Sequence, residues 1–208
     1  QFLSIMLLPF ALSTGLILLC CLLIPRQVLA VPQRELTLDK PRAIAYGLLF
    51  CLAVGMVLRA VPYPVGLAVI AAALAVMDPR ALKSVDWGLL VTFAAFFVFS
   101  GNMARIQPVR ELFGRLLAHG VLPVSALTCQ VISNVPAAIL LSQFTDRFRE
   151  LLIGVNIGGA GTLIASLASL ITFREYTRRC PEQTGRFLGL FTLVSFGFLA
   201  ILLAALSL

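Results

Sequence analysis

Apolar residues run almost unbroken along this chain, and polar residues interrupt them at intervals close to the thickness of a bilayer. The first run, Phe2 to Ile24, has spanning length, contains Pro9 as a kink, and ends at Pro25-Arg26. A polar connector, Arg26 to Arg42, leads to a second helix over Ala43 to Val61, whose Arg59 can snorkel to the headgroups. After Pro62-Tyr63-Pro64 comes Val65 to Met77, short for an upright span and readable as a thinned or partly re-entrant segment. Asp78-Pro79-Arg80 and Lys83 form a polar turn, and Trp87 to Ala104 is again a strong helix, with Asp86 favouring its N-terminal dipole. From Arg105 to Gly120 the pattern changes to charged and apolar residues alternating at helical spacing. That predicts an amphipathic helix in the interface plane.

Two later runs are apolar overall but interrupted at their middles. Val121 to Phe144 is broken by Ser133-Asn134-Val135-Pro136, and Leu151 to Phe173 by the stretch from Gly154 to Thr162. Phe187 to Leu208 closes the chain as a clean span. Backbone groups in hydrocarbon must be hydrogen-bonded, so such breaks are tolerated only where protein or a water-filled cavity shields them. Pro136 lacks an N–H and turns Val135 away from the helical region, while Ser133 and Asn134 can cap the arm that follows. The expected product is a hairpin tip whose helix N-terminus suits an anion, with Ser133 and Asn134 also able to coordinate sodium. In the second break, Gly154, Gly158, Gly159, Gly161 and Asn156 let the backbone unwind and expose carbonyls to a coupling ion. Thr162 and Ser166, four apart, are expected to share a face of the half-helix beyond it. Against this stands a packing explanation: Gly154 and Gly158 form a small-xxx-small pair that also lets two membrane helices approach closely.

Composition agrees with lipid. Of 208 residues, 60% are apolar and 12% charged, against roughly 45–50% and about 25% for soluble domains. The mean hydropathy is +1.02. The net charge of +7 lies between apolar segments rather than along one soluble face, so it orients the chain in a membrane and does not point to nucleic acid. With Val121 to Phe144 entering and leaving on one side, ten Lys and Arg face the cytoplasm and six the outside, leaving the last residue extracytoplasmic. The five cysteines have no zinc-ligand spacing and read as small apolar fillers. His119 reads as interfacial, Asp146 and Glu150 as solvated flanks of the hairpin exit, and Gly101-Asn102 as either a helix end or part of the cavity wall. No nucleophile–base pair is visible, so an enzyme is not expected. The chain opens on Gln1 inside an apolar run, the pattern of a piece cut from a longer parent.

Three motifs in order carry a resemblance: Asp86-Trp87-Gly88-Leu89-Leu90 with Phe96-Phe97-Val98 and Gly101; Ile132-Ser133-Asn134-Val135-Pro136-Ala137; and Gly154-Val155-Asn156-Ile157-Gly158-Gly159-Ala160-Gly161-Thr162. Over roughly Arg42 to Leu208 the chain resembles the C-terminal repeat of the ion transporter superfamily, which includes arsenite permeases, citrate transporters and divalent anion–sodium symporters. The resemblance implies an all-α integral membrane fold of about six membrane helices. It also implies a re-entrant hairpin over 121–144 and a discontinuous helix over 151–173, together one half of an inverted-repeat transporter. Residues 1–42 would hold the first membrane helix and a cytoplasmic connector, and 43–208 the transport repeat. Substrate would meet Ser133, Asn134, Val135, Pro136, Asn156, Gly158, Gly159 and Thr162, and a coupling ion Ser133, Asn134, Gly154, Asn156 and Gly161. The symporter group usually carries Thr where this chain has Val135, which leans toward the permease-like branch.

The expected function is secondary transport of a small carboxylate or oxyanion across a bacterial inner membrane by alternating access. Sodium or a proton would be the coupling ion, and no other metal or cofactor is called for. The absent inverted half and a second copy in a homodimer are the expected partners. Two alternatives stand beside it: a sodium–proton antiporter of the same superfamily, and a membrane scaffold subunit that transports nothing. The apolar cores hold no Asp or Glu, and proton antiport usually needs an intramembrane carboxylate.

Overall fold

The computed structural model describes residues 2–23 and 39–206, and these are helical, with no strand among them. The order is α1 (Phe2–Leu22), α2 (Lys40–Val57), α3 (Tyr63–Met77), α4 (Pro79–Lys83), α5 (Trp87–Met103), α6 (Gln107–Ala118), α7 (Val121–Ile132), α8 (Asn134–Leu141), α9 (Phe148–Ile157), α10 (Leu167–Arg179) and α11 (Thr184–Leu206). Short 3₁₀ turns occupy Leu163–Ala165 and Pro181–Gln183. Most of the expected connector, residues 24–38, and the final residues 207–208 lie outside the described residues.

Among the described residues, three helices are long and apolar enough to cross a membrane: Phe2–Leu22, Lys40–Val57 and the stretch Pro181–Leu206. A fourth is reached if α5 and α6 count as one bent span, but their axes differ by 96°. The helices and the apolar surface they expose are those of an integral membrane protein. Exposed large residues such as Leu3, Leu22 and Val76 would be intolerable in this number on a soluble surface.

The described residues form two compact units, 39–89 on one hand and 2–23 with 90–206 on the other. In the smaller unit α2 packs on α3 at Gly66, where an added Cβ would fall 2.2 Å from Met56 Sδ. The Tyr46 hydroxyl donates to Asp78 Oδ2 at 3.0 Å, and Asp78 Oδ1 accepts the Arg80 and Ala81 amides that open α4.

In the larger unit α7, α8 and α9 form the centre. One core cluster joins Leu117, Val121, Cys129, Ala137, Leu141, Leu151 and Val155, with Phe113 and Phe144 stacked 4.8 Å apart at its edge. Through this cluster α6 lays Phe113 and Leu117 on the hairpin, while Leu112 and Leu116 stay exposed together with Arg110, Glu111 and Arg115. A second cluster joins Leu122, Ala126, Ile153 and Ile157 to Leu199 and Leu202 of α11, with Ile5, Leu12 and Leu16 of α1 against it. The first helix therefore groups with the last. On the other flank buried Ser100 of α5 donates to the Ile139 carbonyl of α8 at 2.8 Å.

Candidate functional site

The hairpin reverses at one residue. α7 ends at Ile132 and α8 begins at Asn134, so Ser133 alone makes the turn, at φ 70° and ψ 157°. That is a left-handed conformation rare outside glycine. Pro136 lies within the first turn of α8, where a missing N–H is harmless. The capping differs from expectation. Ser133 makes no cap hydrogen bond with its side chain, which reaches the Ala165 carbonyl at 3.4 Å, while Asn134 Oδ1 accepts the Val135 amide at 2.9 Å.

The second break is longer. α9 stops at Ile157, the 3₁₀ turn Leu163–Ala165 intervenes, and α10 starts only at Leu167. Two caps explain the stepwise restart: Thr162 Oγ1 accepts the Ala165 amide at 3.2 Å, and Ser166 Oγ accepts the Ala168 amide at 3.2 Å. This corrects the shared helical face expected of Thr162 and Ser166. Both lie in extended backbone before α10, each occupied in capping.

The glycines divide between two tasks. Gly154 and Gly158 press α9 onto α7: a Cβ on Gly154 would fall 2.6 Å from the Leu122 carbonyl, and one on Gly158 2.7 Å from Ala126 Cα. Both are buried in that contact. Gly159 sits between the hairpin tip and the break, where a Cβ would lie 3.4 Å from Asn134 Nδ2 and 3.2 Å from the Asn156 carbonyl. Gly161, at φ 118°, takes a conformation that disfavours a side chain, and a Cβ there would fall 2.1 Å from Gln130 Oε1.

Gln130 was missed by the sequence reasoning. One turn before the hairpin tip, its Nε2 donates to the carbonyls of Ala126 (2.9 Å), Gly158 (2.8 Å) and Ala160 (3.0 Å). Its Oε1 accepts the Thr162 amide at 2.8 Å, and its own carbonyl accepts Thr162 Oγ1 at 3.0 Å. The available signal was an amide side chain inside an apolar segment four residues before Asn134, since polar groups at such depth seldom lack a role.

Asn134 and Asn156 come together. With Phe93, Phe97, Val135 and Leu152 they line a cavity of about 400 Å³ on one face of α8 and α9. Asn156 is exposed, with Nδ2 donating to the Leu152 carbonyl at 2.7 Å. Among the described residues Asn134 Nδ2 and Asn156 Oδ1 have no protein hydrogen-bond partner, so the two side chains keep one spare donor group and one spare acceptor. Asn156 also borders a second cavity of about 320 Å³, against Pro9 and Ser13 of α1 and Phe198 and Leu202 of α11. Asn102 is exposed near the end of α5. His119 ends α6 with its Nδ1 2.9 Å from the Arg115 carbonyl, and Glu150 pairs with Arg147.

Two curated proteins are similar to this chain. The inner membrane protein YbiR of Escherichia coli is 38% identical over 113 residues, which is 52% of this chain and 30% of that protein. The uncharacterized transporter MJ0456 of Methanocaldococcus jannaschii is 38% identical over 132 residues, 63% of this chain and 36% of that protein. The chain therefore matches about a third of the length of either relative. No family model matches the chain, and no solved structure does.

Proposed function

We propose that this chain is half of a secondary membrane transporter that carries a small anion, a carboxylate or an oxyanion, by alternating access. The observation that supports it most is the pairing of two broken segments at one cavity, with unsatisfied amide groups of Asn134 and Asn156 in its wall. Helix breaks inside apolar segments are typical of substrate and ion sites in secondary transporters. The names of the two relatives, an inner membrane protein and a transporter, lie in the same direction.

In this reading Asn134 Nδ2 and the Asn134 backbone amide that opens α8 donate to the anion's oxygens, and Asn156 Oδ1 accepts from a hydroxyl or binds a sodium ion. Val135 and Pro136 shape the tip, and Gly159 leaves room beside it. The second, inverted half closes the cavity from the other side, and the protein works as a homodimer in a bacterial inner membrane. Gly154 and Gly158 serve the packing of α9 on α7, so the scaffold alternative accounts for those two residues but not for the paired asparagines.

The test is uptake by the full-length protein in proteoliposomes, with citrate, succinate, sulfate and arsenite offered with and without sodium. Asn134→Ala and Asn156→Ala should each cut uptake of the accepted anion at least tenfold with normal membrane levels. Unchanged uptake in both variants discards the site. Sodium-dependent pH change without anion flux selects the antiporter alternative.

A further inference from the structure

We propose that Gln130 is a positioning residue, clasping the hairpin tip to the break after α9 so that Asn134 and Asn156 are held together as one pre-formed site. The inference rests on the transport reading above. It starts from backbone accounting. When α9 stops at Ile157, the carbonyls of Gly158 and Ala160 and the amide of Thr162 lose their helical partners, and away from water each would be costly to leave open. One side chain satisfies all three: two amide hydrogens are shared among the carbonyls of Ala126, Gly158 and Ala160, and the oxygen takes the Thr162 amide. The Thr162 hydroxyl returns a hydrogen bond to the Gln130 carbonyl, so residues 130 and 162 are tied twice.

The geometry of the clasp is selective. Gln130 stands four residues before Asn134, and its two acceptors in the break stand two and four residues after Asn156. Fixing these points fixes the separation of the two asparagines. Gly161 keeps the position open, since a Cβ would collide with Gln130 Oε1. The groups that face Gln130 are backbone carbonyls and Thr162, none of which titrates. Unwound backbone here is held by the protein itself, so the site waits open for its ligand, with no ion needed to keep it unwound.

The experiment compares wild type, Gln130→Leu and Gln130→Glu in the full-length protein, by hydrogen exchange of peptides covering 158–166 and by anion uptake at pH 5.5 and 8. Leu fills the space without polar atoms. Exchange over 158–166 should speed up at least tenfold at both pH values, with α11 unchanged, and KM should rise at least tenfold. Glu is the informative variant. Protonated, its hydroxyl can donate to one carbonyl while its other oxygen accepts from Thr162; ionised, it repels the carbonyls. Burial and those carbonyls raise its pKa, so the protonated form and the clasp are present at low pH and lost as pH rises. Protection and uptake in Gln130→Glu, each taken relative to wild type at the same pH, should therefore recover severalfold at pH 5.5 over pH 8. Wild-type exchange and KM in Gln130→Leu, or no recovery of Gln130→Glu at pH 5.5, overturns the proposal. Should wild type move no anion at all, the transport reading fails by itself, and the exchange data still decide whether the clasp exists.

Discussion

At the scale of single residues, the glycines separate by what a methyl group would strike. Gly154→Ala drives a Cβ toward the Leu122 carbonyl at 2.6 Å, a backbone atom that cannot swing aside. Overpacking of this kind costs about 1–3 kcal/mol, so the variant should lower the melting temperature in detergent while leaving the KM of any correctly folded fraction unchanged. Gly159→Ala should behave the opposite way. Its Cβ presses on Asn134 Nδ2 at 3.4 Å and the Asn156 carbonyl at 3.2 Å, contacts at the cavity wall, so stability should hold and KM should rise. The expected break ran from Gly154 to Thr162, but α9 stays helical through Ile157, so Gly154 and Asn156 are not unwound; spacing alone fits both close packing and unwinding and could not sort the glycines. Gly154 and Gly158 face Leu122 and Ala126, thirty or so positions earlier in the chain, and only the folded contact assigns them. Gln130 escaped for a related reason: averaged into an apolar run it looks incidental, and its meaning lies in carbonyls 28 and 30 residues away.

Elements were more legible than their contacts, because helix length and interruption follow from local pattern. The interruption at 133–136 was marked by Asn134 and Pro136, yet the turn needs only Ser133, since proline fits a helix's first turn. A residue at φ 70° and ψ 157° is strained by about 1–3 kcal/mol unless it is glycine. Ser133→Gly should therefore raise the melting temperature, and Ser133→Val should lower it, since a β-branched side chain suits that region worst. In the smaller unit the start of α4 depends on Asp78. The Tyr46 hydroxyl, and after it the Ala81 amide, hold this carboxyl below the usual carboxylate range. A lowered folded pKa means the contribution is present above the unfolded value and lost as pH falls through the folded one. Tyr46→Phe should move the Asp78 titration, followed by carboxyl carbon shifts, back up toward that of a free side chain.

For the whole molecule, exposure has two meanings that the larger unit keeps apart. Leu193 on α11 is 73% exposed, and its neighbours are the apolar side chains of a spanning helix, so in the bilayer its surroundings are lipid. Asn156 is exposed as well, yet it carries an unpaired amide oxygen and lines a cavity with Asn134, a combination that hydrocarbon would penalise by several kcal/mol. In the reading proposed above, water and substrate reach that face. Single cysteines distinguish the two environments. In a full-length background stripped of its native cysteines, Asn134→Cys and Asn156→Cys should react with a charged, membrane-impermeant thiol reagent, and saturating anion should slow both at least tenfold. Leu193→Cys should stay unreactive in either condition, because a thiol in lipid is neither ionised nor met by a charged reagent. Equal reactivity at all three positions would mean that the cavity at Asn134 and Asn156 is no more aqueous than the outer face of α11. Protection by one anion, compared with and without sodium, would identify the anion that binds and show whether sodium binds with it.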